Sequence, residues 1–585
     1  MAIDSLPPHS SGEPGAYAPP VGEYAFLLGE AFGTDIVARS TGGALSAEDA
    51  LDAIEAAGDF ASEVFAPLDR IGDQEGARFS NGEVHLPEGY RQAYRSYAEA
   101  GWISAAAPES AGGDGLPESV TAALGEFWNG ANMAFALCPA LSLGAIRALG
   151  ANGSQQLRDA YLPKMVSGEW TGTMNLTEPQ AGTDLGAVRT IARDNGDGTW
   201  AVTGQKIFIT WGDHDVADNI VHLVLARTEG APEGHRGLSL FLVPKFVPND
   251  DGSPGERNAV ITVGIEHKLG IHGSPTCTLQ YESATGYLVG EPHQGLAGMF
   301  VMMNEARFGM GLQGIGVAQR AYQRANDYAH QRMQGSVLGL PEGTPIAGHP
   351  DVRRMLLSMS SRISAMRAFA VFAGDLRDRS ELDENNRPLA DLTIPVLKSW
   401  GTEEAVRITS DAIQVHGGMG FIEETGAAQH WRDSRITPIY EGTTAIQSND
   451  LVGRKVLRDG GATVGRLFDQ MDEQVEALRG SSNEVARRTA ERLDRAVVAG
   501  RRATEALVAS GANPRDAYAV SVPYQSLLAI LVGGWMHAVM VAAVLRRETL
   551  AADGRRRLTE ADFYGAHHLP EVQALAETVA AGEID

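Results

Sequence analysis

The sequence predicts an α+β chain in which a region of short β-strands lies between two helical regions. Three observations carry that reading. The texture is helical over 23–168, changes near residue 170 to β-branched runs separated by turn clusters, and is helical again from 293 onward. Hydrophobic residues make up 43% and charged residues 21% of the chain, a composition that folds around a core and is neither fibrous nor disordered. A chain of 585 residues divides into about four domains at ~150 residues each.

Each element follows from its residues. Residues 1–22 read as an extended arm, because Pro7, Pro8, Pro14, Pro19 and Pro20 oppose regular structure. Residues 23–168 form an N-terminal helical domain. Its 47–65 stretch is rich in Ala and Glu, with Ser46 as N-cap ahead of Asp49. Residues 108–115 are a loop between helices. The middle β domain, 169–292, holds runs at 200–210, 220–226, 237–243 and 260–265, bounded by turns at 194–198 and 249–252. Short strands at that spacing make a barrel or sandwich. Residues 293–458 read as a helical bundle and 459–585 as an extra helical domain. There Phe468, Met471, Val475 and Leu478 recur on one helix face.

Charge and motif spelling exclude several functions. The formal net charge is −26, a field that repels nucleic acid and anionic membrane. Two cysteines, Cys138 and Cys277, rule out a disulfide scaffold and fit a reducing cytoplasm. The first residues lack a basic and apolar leader pattern, so no secretory signal is expected. Segment 527–545 carries no formal charge and approaches bilayer length, but it reads as a buried helix without stable membrane insertion. Gly309, Gly311 and Gly314 spell a dinucleotide fingerprint. The stretch before them, with Asn304, Glu305 and Arg307, is poor strand material, and the position ~20 beyond is Gln334 rather than an acid. These glycines read as a small-residue face between helices. No phosphate-loop, zinc-protease or nucleophile-elbow motif occurs, and His214, His267, His272 and His416 show no metal-ligand spacing.

Three separated stretches place hydroxyl and small residues beside an acid or aromatic. They are 174–184 (Met-Asn-Leu-Thr-Glu-Pro-Gln-Ala-Gly-Thr-Asp), 204–211 (Gly-Gln-Lys-Ile-Phe-Ile-Thr-Trp) and 414–421, followed by 431–433 and 439–444. Together and in this order, over 60–458, they resemble the acyl-CoA dehydrogenase family. The Leu-Thr-Glu-Pro-x-x-Gly-Thr-Asp segment and the 432–447 segment are similar to its two signatures. Further matches lie at 108–115 and 267–276. The long arm and the tail past 460 are most similar to the 3-methylmercaptopropionyl-CoA dehydrogenase subgroup.

The resemblance implies a fold of N-terminal helical domain, middle β-barrel and C-terminal four-helix bundle, here with an extra helical domain. It implies FAD-dependent α,β-dehydrogenation of an acyl-CoA thioester. Glu441 matches the base, and burial beside Tyr440 must raise its pKa from ~4.3 toward ~6–7 for it to serve. Met174, Leu176, Thr177, Thr183, Phe208 and Thr210 match flavin-lining residues. Gln414, Gly417 and Gly418 match a stretch reaching the FAD of a neighbouring subunit, and Thr443 matches a flavin contact. Arg332 and Gln334 match a motif whose Phe is missing here. Thr183, Asn304, Arg307, Glu441 and Gly442 match substrate-side positions, with Gly442 leaving space, although Asn304 replaces an Asp. Arg432 and Asp433 read as an ion pair that positions the Glu441 loop. The implied partners are an acyl-CoA, an electron-transferring flavoprotein and a second subunit in a homodimer. An acyl-CoA oxidase is one alternative. A DNA-binding flavoprotein of the same fold is another, resting on Arg546, Arg547, Arg555, Arg556 and Arg557.

Overall fold

A computed structural model describes residues 16–582, so most of the proposed arm lies outside the described residues. The described chain packs as two compact units. One joins 64–116 to 132–306, and the other joins 16–63 and 117–131 to 307–582. Two long helices, Glu118–Asn152 and Gly295–Gln331, contribute to both. The first has a non-helical residue at Asn132 (φ −159°, ψ 93°), where the units divide. The Asn132 side chain accepts a hydrogen bond from Phe135 N at 3.0 Å, capping the turn that follows.

The 64–306 unit is built on β-strands. A small hairpin, β1 (Arg78–Ser80) with β2 (Glu83–His85), interrupts the segment read as helical. The main sheet contains β3 (Trp170–Asn175), β4 (Ile191–Asp194), β5 (Trp200–Thr210), β6 (Asn219–Thr228) and β7 (Leu238–Pro244). A second hairpin, β8 (Phe246–Pro248) with β9 (Pro254–Arg257), precedes β10 (Val260–Ile265) and β11 (Thr276–Val289). β11 pairs with β5, β5 with β4, β4 with β6, β6 with β7, and β7 with β11 again. That ring is a closed barrel, as expected, and closure leaves no edge among its five strands. β3 joins parallel to β6, and β10 antiparallel to β11. Val202, Ile209, Val224, Phe241, Val243, Leu279 and Tyr281 fill the interior. β11 escaped the sequence reading because a bulge at Ser283 (φ 58°) breaks its alternation.

In the other unit, Ser46 caps the Ala47–Phe60 helix in a reciprocal box with Asp49, as its position predicts. The glycines at 311 and 314 do what a small-residue face does. A Cβ on Gly314 would lie 2.2 Å from Gly401 O, and one on Gly311 would lie 2.6 Å from the Leu397 side chain. The Gly295–Gln331 and Arg387–His416 helices therefore approach at backbone distance.

The apolar 527–545 segment belongs to the helix Ser521–Leu545. Leu527, Leu528, Leu531, Val532, Met536 and Val541 are buried in it, and His537 Nε2 lies 2.9 Å from Ser361 O. Phe468, Met471, Val475 and Leu478 share a buried face of Ala462–Arg479. Three of the C-terminal arginines turn inward, while Arg546 and Arg555 are exposed. Arg547 pairs with Glu30 (2.6 Å) and Asp553 (2.7 Å). Arg557 pairs with Glu23 (2.8 Å), and Arg556 with Glu23 and Glu560. Arg547, Arg556 and Arg557, from the clusters that suggested DNA binding, thus hold the 21–31 segment against the tail.

Gly314→Ala should lower stability by about 1–3 kcal/mol, because a methyl cannot fit against a backbone carbonyl. Gly309→Ala, one turn away with open space at its Cβ, should be neutral or stabilising by up to ~1 kcal/mol. Denaturant titration of both variants checks the pair.

Candidate active site

The barrel unit assembles one set of predicted residues around β5. Between β11 and β5 the register slips, with Cys277 opposite Ile209 and Leu279 opposite Lys206. The extra β5 residue is accommodated where Phe208 takes a left-handed φ of 59°. Lys206 and Phe208 would share a face in a regular strand. The bulge separates them: Lys206 is fully buried, whereas Phe208 is 59% exposed.

Lys206 Nζ donates to Leu176 O at 2.9 Å and to Glu178 Oε1 at 2.8 Å. Glu178 also accepts from the backbone N–H groups of Arg189 (2.8 Å) and Thr190 (3.0 Å) and from the Thr190 hydroxyl (2.6 Å). Ile207 N donates to Thr177 O at 2.9 Å. Leu176 and Thr177 are therefore fixed beside β5 and Phe208. Burial alone would raise the Glu178 carboxyl. The Lys206 ammonium and the hydrogen bonds outweigh it and bring it down to about 2. Met174, on β3, and Thr210, at the end of β5, are half-buried, and Thr183 is exposed. Asn304 is half-buried in the same unit, where the adjacent Glu305 pairs with Arg147 at 3.4 Å.

The other unit builds a charged cluster on Glu441. Glu441 has φ 54° and Gly442 φ 90°, two successive left-handed residues. For a non-glycine residue that conformation costs about 1–3 kcal/mol and persists only where surrounding bonds dictate it. Those bonds are present. Lys398 Nζ donates to Thr437 O (3.0 Å) and Gly442 O (2.8 Å), and Gln447 Nε2 donates to Glu441 O (3.0 Å). The Tyr440 hydroxyl bonds Gln313, which bonds Asn129 at 2.9 Å. Gly442 leaves no open space for a ligand: a Cβ there would lie 2.7 Å from Gln447 Nε2. Its missing side chain admits the protein's own glutamine. Thr443 Oγ1 accepts from Ile446 N at 3.4 Å as the N-cap of Thr444–Asp450.

Burial pushes the Glu441 carboxyl up to about 7, against the opposing charges of Arg307 and Lys398. Arg307 is itself buried, and its Nε finds no acceptor among the described residues. Burial pushes Lys398 down to about 8. Arg432 pairs with Glu423 at 2.9 Å. Arg332 and Gln334 lie exposed just past the Gly295–Gln331 helix, linked at 3.2 Å. Gln414, Gly417 and Gly418 lie exposed where Arg387–His416 ends, with open space around both glycines and φ 60° at Gly417.

Each unit's residues fit a share of a flavin dinucleotide. Met174, Leu176 and Phe208 offer apolar contact and Thr177, Thr183 and Thr210 offer hydroxyls, the mixture a flat heteroaromatic ring needs. Arg332 and the uncovered glycine backbone suit a phosphate. Sequence reasoning assigned no role to Glu178, Lys206 or Lys398. A signal was present, because each lysine lies within an apolar run (Lys-Ile-Phe-Ile and Ile-Pro-Val-Leu-Lys-Ser-Trp). A lysine buried there needs a partner.

Family models match along the chain: the acyl-CoA dehydrogenase N-terminal domain at 47–169, middle domain at 173–284 and C-terminal domain at 293–456, and an acetyl-CoA dehydrogenase C-terminal-like domain at 467–584. The chain belongs to the acyl-CoA dehydrogenase family and is an FAD-dependent oxidoreductase acting on acyl-CoA. It is 47% identical to the 3-methylmercaptopropionyl-CoA dehydrogenase of Ruegeria pomeroyi, over 92% of this chain and 93% of that one. It is 34% identical to a broad-specificity linear acyl-CoA dehydrogenase of Mycobacterium tuberculosis, over 85% and 86%. Its fold matches an acyl-CoA dehydrogenase from Bacillus anthracis solved with FAD, at TM-score 0.75 and 22% identity over 93% and 90%.

Lys206→Met leaves Glu178 buried without its cation and should cost about 3–5 kcal/mol, together with retention of the yellow cofactor. The wild-type contribution is fully present above the ordinary carboxyl value of 4.5 and is lost as pH falls through about 2. Denaturation curves and visible absorbance of the purified variant check both.

Proposed function

We propose that this chain dehydrogenates 3-methylmercaptopropionyl-CoA or a closely similar thioester between its α and β carbons, with Glu441 as the base. The observation that carries the reading is the Glu441 carboxyl, raised to about 7 in a backbone conformation that other groups hold in place. A base works best when its pKa lies near the working pH. The thioether substrate is supported by the 47% identity to a relative bearing that name.

The α-proton passes to Glu441, and Arg307 and Lys398 favour the carboxylate that must receive it. Tyr440 stays neutral, because burial holds its phenol well above 10, and its bond to Gln313 anchors the residue before the base. FAD, when bound, supplies the acceptor for the β-hydride. Met174, Leu176, Thr177, Thr183, Phe208 and Thr210 would hold its ring. Arg332, Gln334, Gln414, Gly417 and Gly418 would hold its phosphate and adenine portions, and Thr443 would contact the flavin. Thr183, Asn304, Arg307 and Gly442 would lie on the substrate side. An electron-transferring flavoprotein is the proposed acceptor, on the strength of family membership. A homodimer is the proposed assembly, supported by exposed apolar residues beside the glycines: Phe421 is 86% and Met419 49% exposed.

Anaerobic titration with a panel of acyl-CoAs should bleach the wild-type flavin, most readily with 3-methylmercaptopropionyl-CoA. Glu441→Gln should slow bleaching by at least ~10²-fold. An unbleached wild type, or an undiminished variant, overturns the reading. The base must be ionised, so kcat/KM should rise with pH through about 7 and level off above it.

A further inference from the structure

We infer that Lys398 is a positioning residue for the base: its buried ammonium ties the backbone on both sides of Glu441 and brings a positive charge to that loop. The inference rests on Glu441 being the base.

The geometry is specific. Lys398 sits in the middle of the Arg387–His416 helix and is fully buried. Its Nζ reaches two carbonyls that bracket the loop, Thr437 O at 3.0 Å and Gly442 O at 2.8 Å. Thr437 precedes the base by one turn of chain, and Gly442 follows it directly. An ammonium is a compact charge with three donors, so one side chain can tie two carbonyls at once. The helix can deliver it there because Gly311 and Gly314 let the neighbouring helix press against Leu397 and Gly401, the residues just before and three after Lys398.

A purely structural lysine would be an expensive choice. A neutral donor such as Gln offers hydrogen bonds without the cost of desolvating a full charge. The charge has a use beside a carboxyl that burial drives toward its neutral form. Several other charges surround the pair. Arg307 acts on Glu441 and is in turn acted on by Asp450 and Arg454, while Glu403 acts on Lys398. With Lys398 neutral, Arg307 alone opposes the desolvation of Glu441.

The test is the pH dependence of kcat/KM in flavin-loaded Lys398→Met and Lys398→Gln, beside wild type and Glu441→Gln. Met removes charge and donors. Gln keeps a donor and removes only charge. We expect the acid limb near 7 in wild type to move up by at least about half a unit in both variants, since loss of a nearby cation raises a carboxyl pKa. Activity at pH 7 should fall in both variants and recover in part at higher pH, more so for Gln. An acid limb that stays at its wild-type position in a folded, flavin-loaded variant overturns the inference. So does failure of both variants to fold or keep flavin, which would make Lys398 a structural element of the bundle. Undiminished activity of Glu441→Gln would instead sink the proposal for the base, a separate outcome.

Discussion

A charge withdrawn from water must be met by partners fixed in place, and this protein uses that demand twice. In the barrel unit the Lys206 ammonium has Leu176 O and the Glu178 carboxylate as acceptors. In the helical unit the Lys398 ammonium has Thr437 O and Gly442 O. Each lysine is fully buried, so each loop it holds is bound by the penalty of leaving a cation unsolvated. Loops fixed in this way keep irregular conformations that short-range preferences would abandon. The left-handed backbone at Glu441 is one case. Another is the turn of Glu178-Pro179-Gln180-Ala181, closed by paired Glu178 and Ala181 hydrogen bonds.

The two cations differ in what they do to the neighbouring acid. Glu178 receives an ammonium, two backbone N–H groups and a hydroxyl, and its carboxyl falls to about 2. It is a permanent anion and a fastener. Glu441 receives no comparable set of donors, and burial wins over Arg307 and Lys398, leaving it near 7. The same side chain is held ionised in one setting and raised toward its neutral form in the other. The deciding quantity is how much of the solvation lost on burial is replaced by hydrogen bonds.

The tail shows a third use of buried charge. Arg547, Arg556 and Arg557 hold Glu23, Glu30 and Asp553, with Arg557 also stacked 3.7 Å from the Phe26 ring centre. Ion pairs shielded in this way fix register between segments far apart in sequence. A run of arginines viewed in one dimension looks like a nucleic-acid patch. In three dimensions Arg547, Arg556 and Arg557 are paired with Glu23, Glu30, Asp553 and Glu560, while Arg546 and Arg555 stay exposed.

Much of this was legible in the sequence. The strands β5 and β10 were read with their observed limits, and the heptad-like face of Phe468, Met471, Val475 and Leu478 is buried as its spacing requires. Periodicity and turn chemistry are local, so they survive in one dimension. The glycines at 309, 311 and 314 read as a packing face, which Gly311 and Gly314 form, whereas a Cβ on Gly309 would meet open space. Other features needed the fold. The bulge that turns Phe208 outward and Lys206 inward arises from pairing with β11, a strand whose own irregularity hid it. The neighbours of Glu441 come from positions 307, 398 and 447. Sequence alone determined which residue types were available and which elements carried them. Tertiary structure decided their protonation and exposure, because desolvation and charge act through space between groups that the chain keeps far apart.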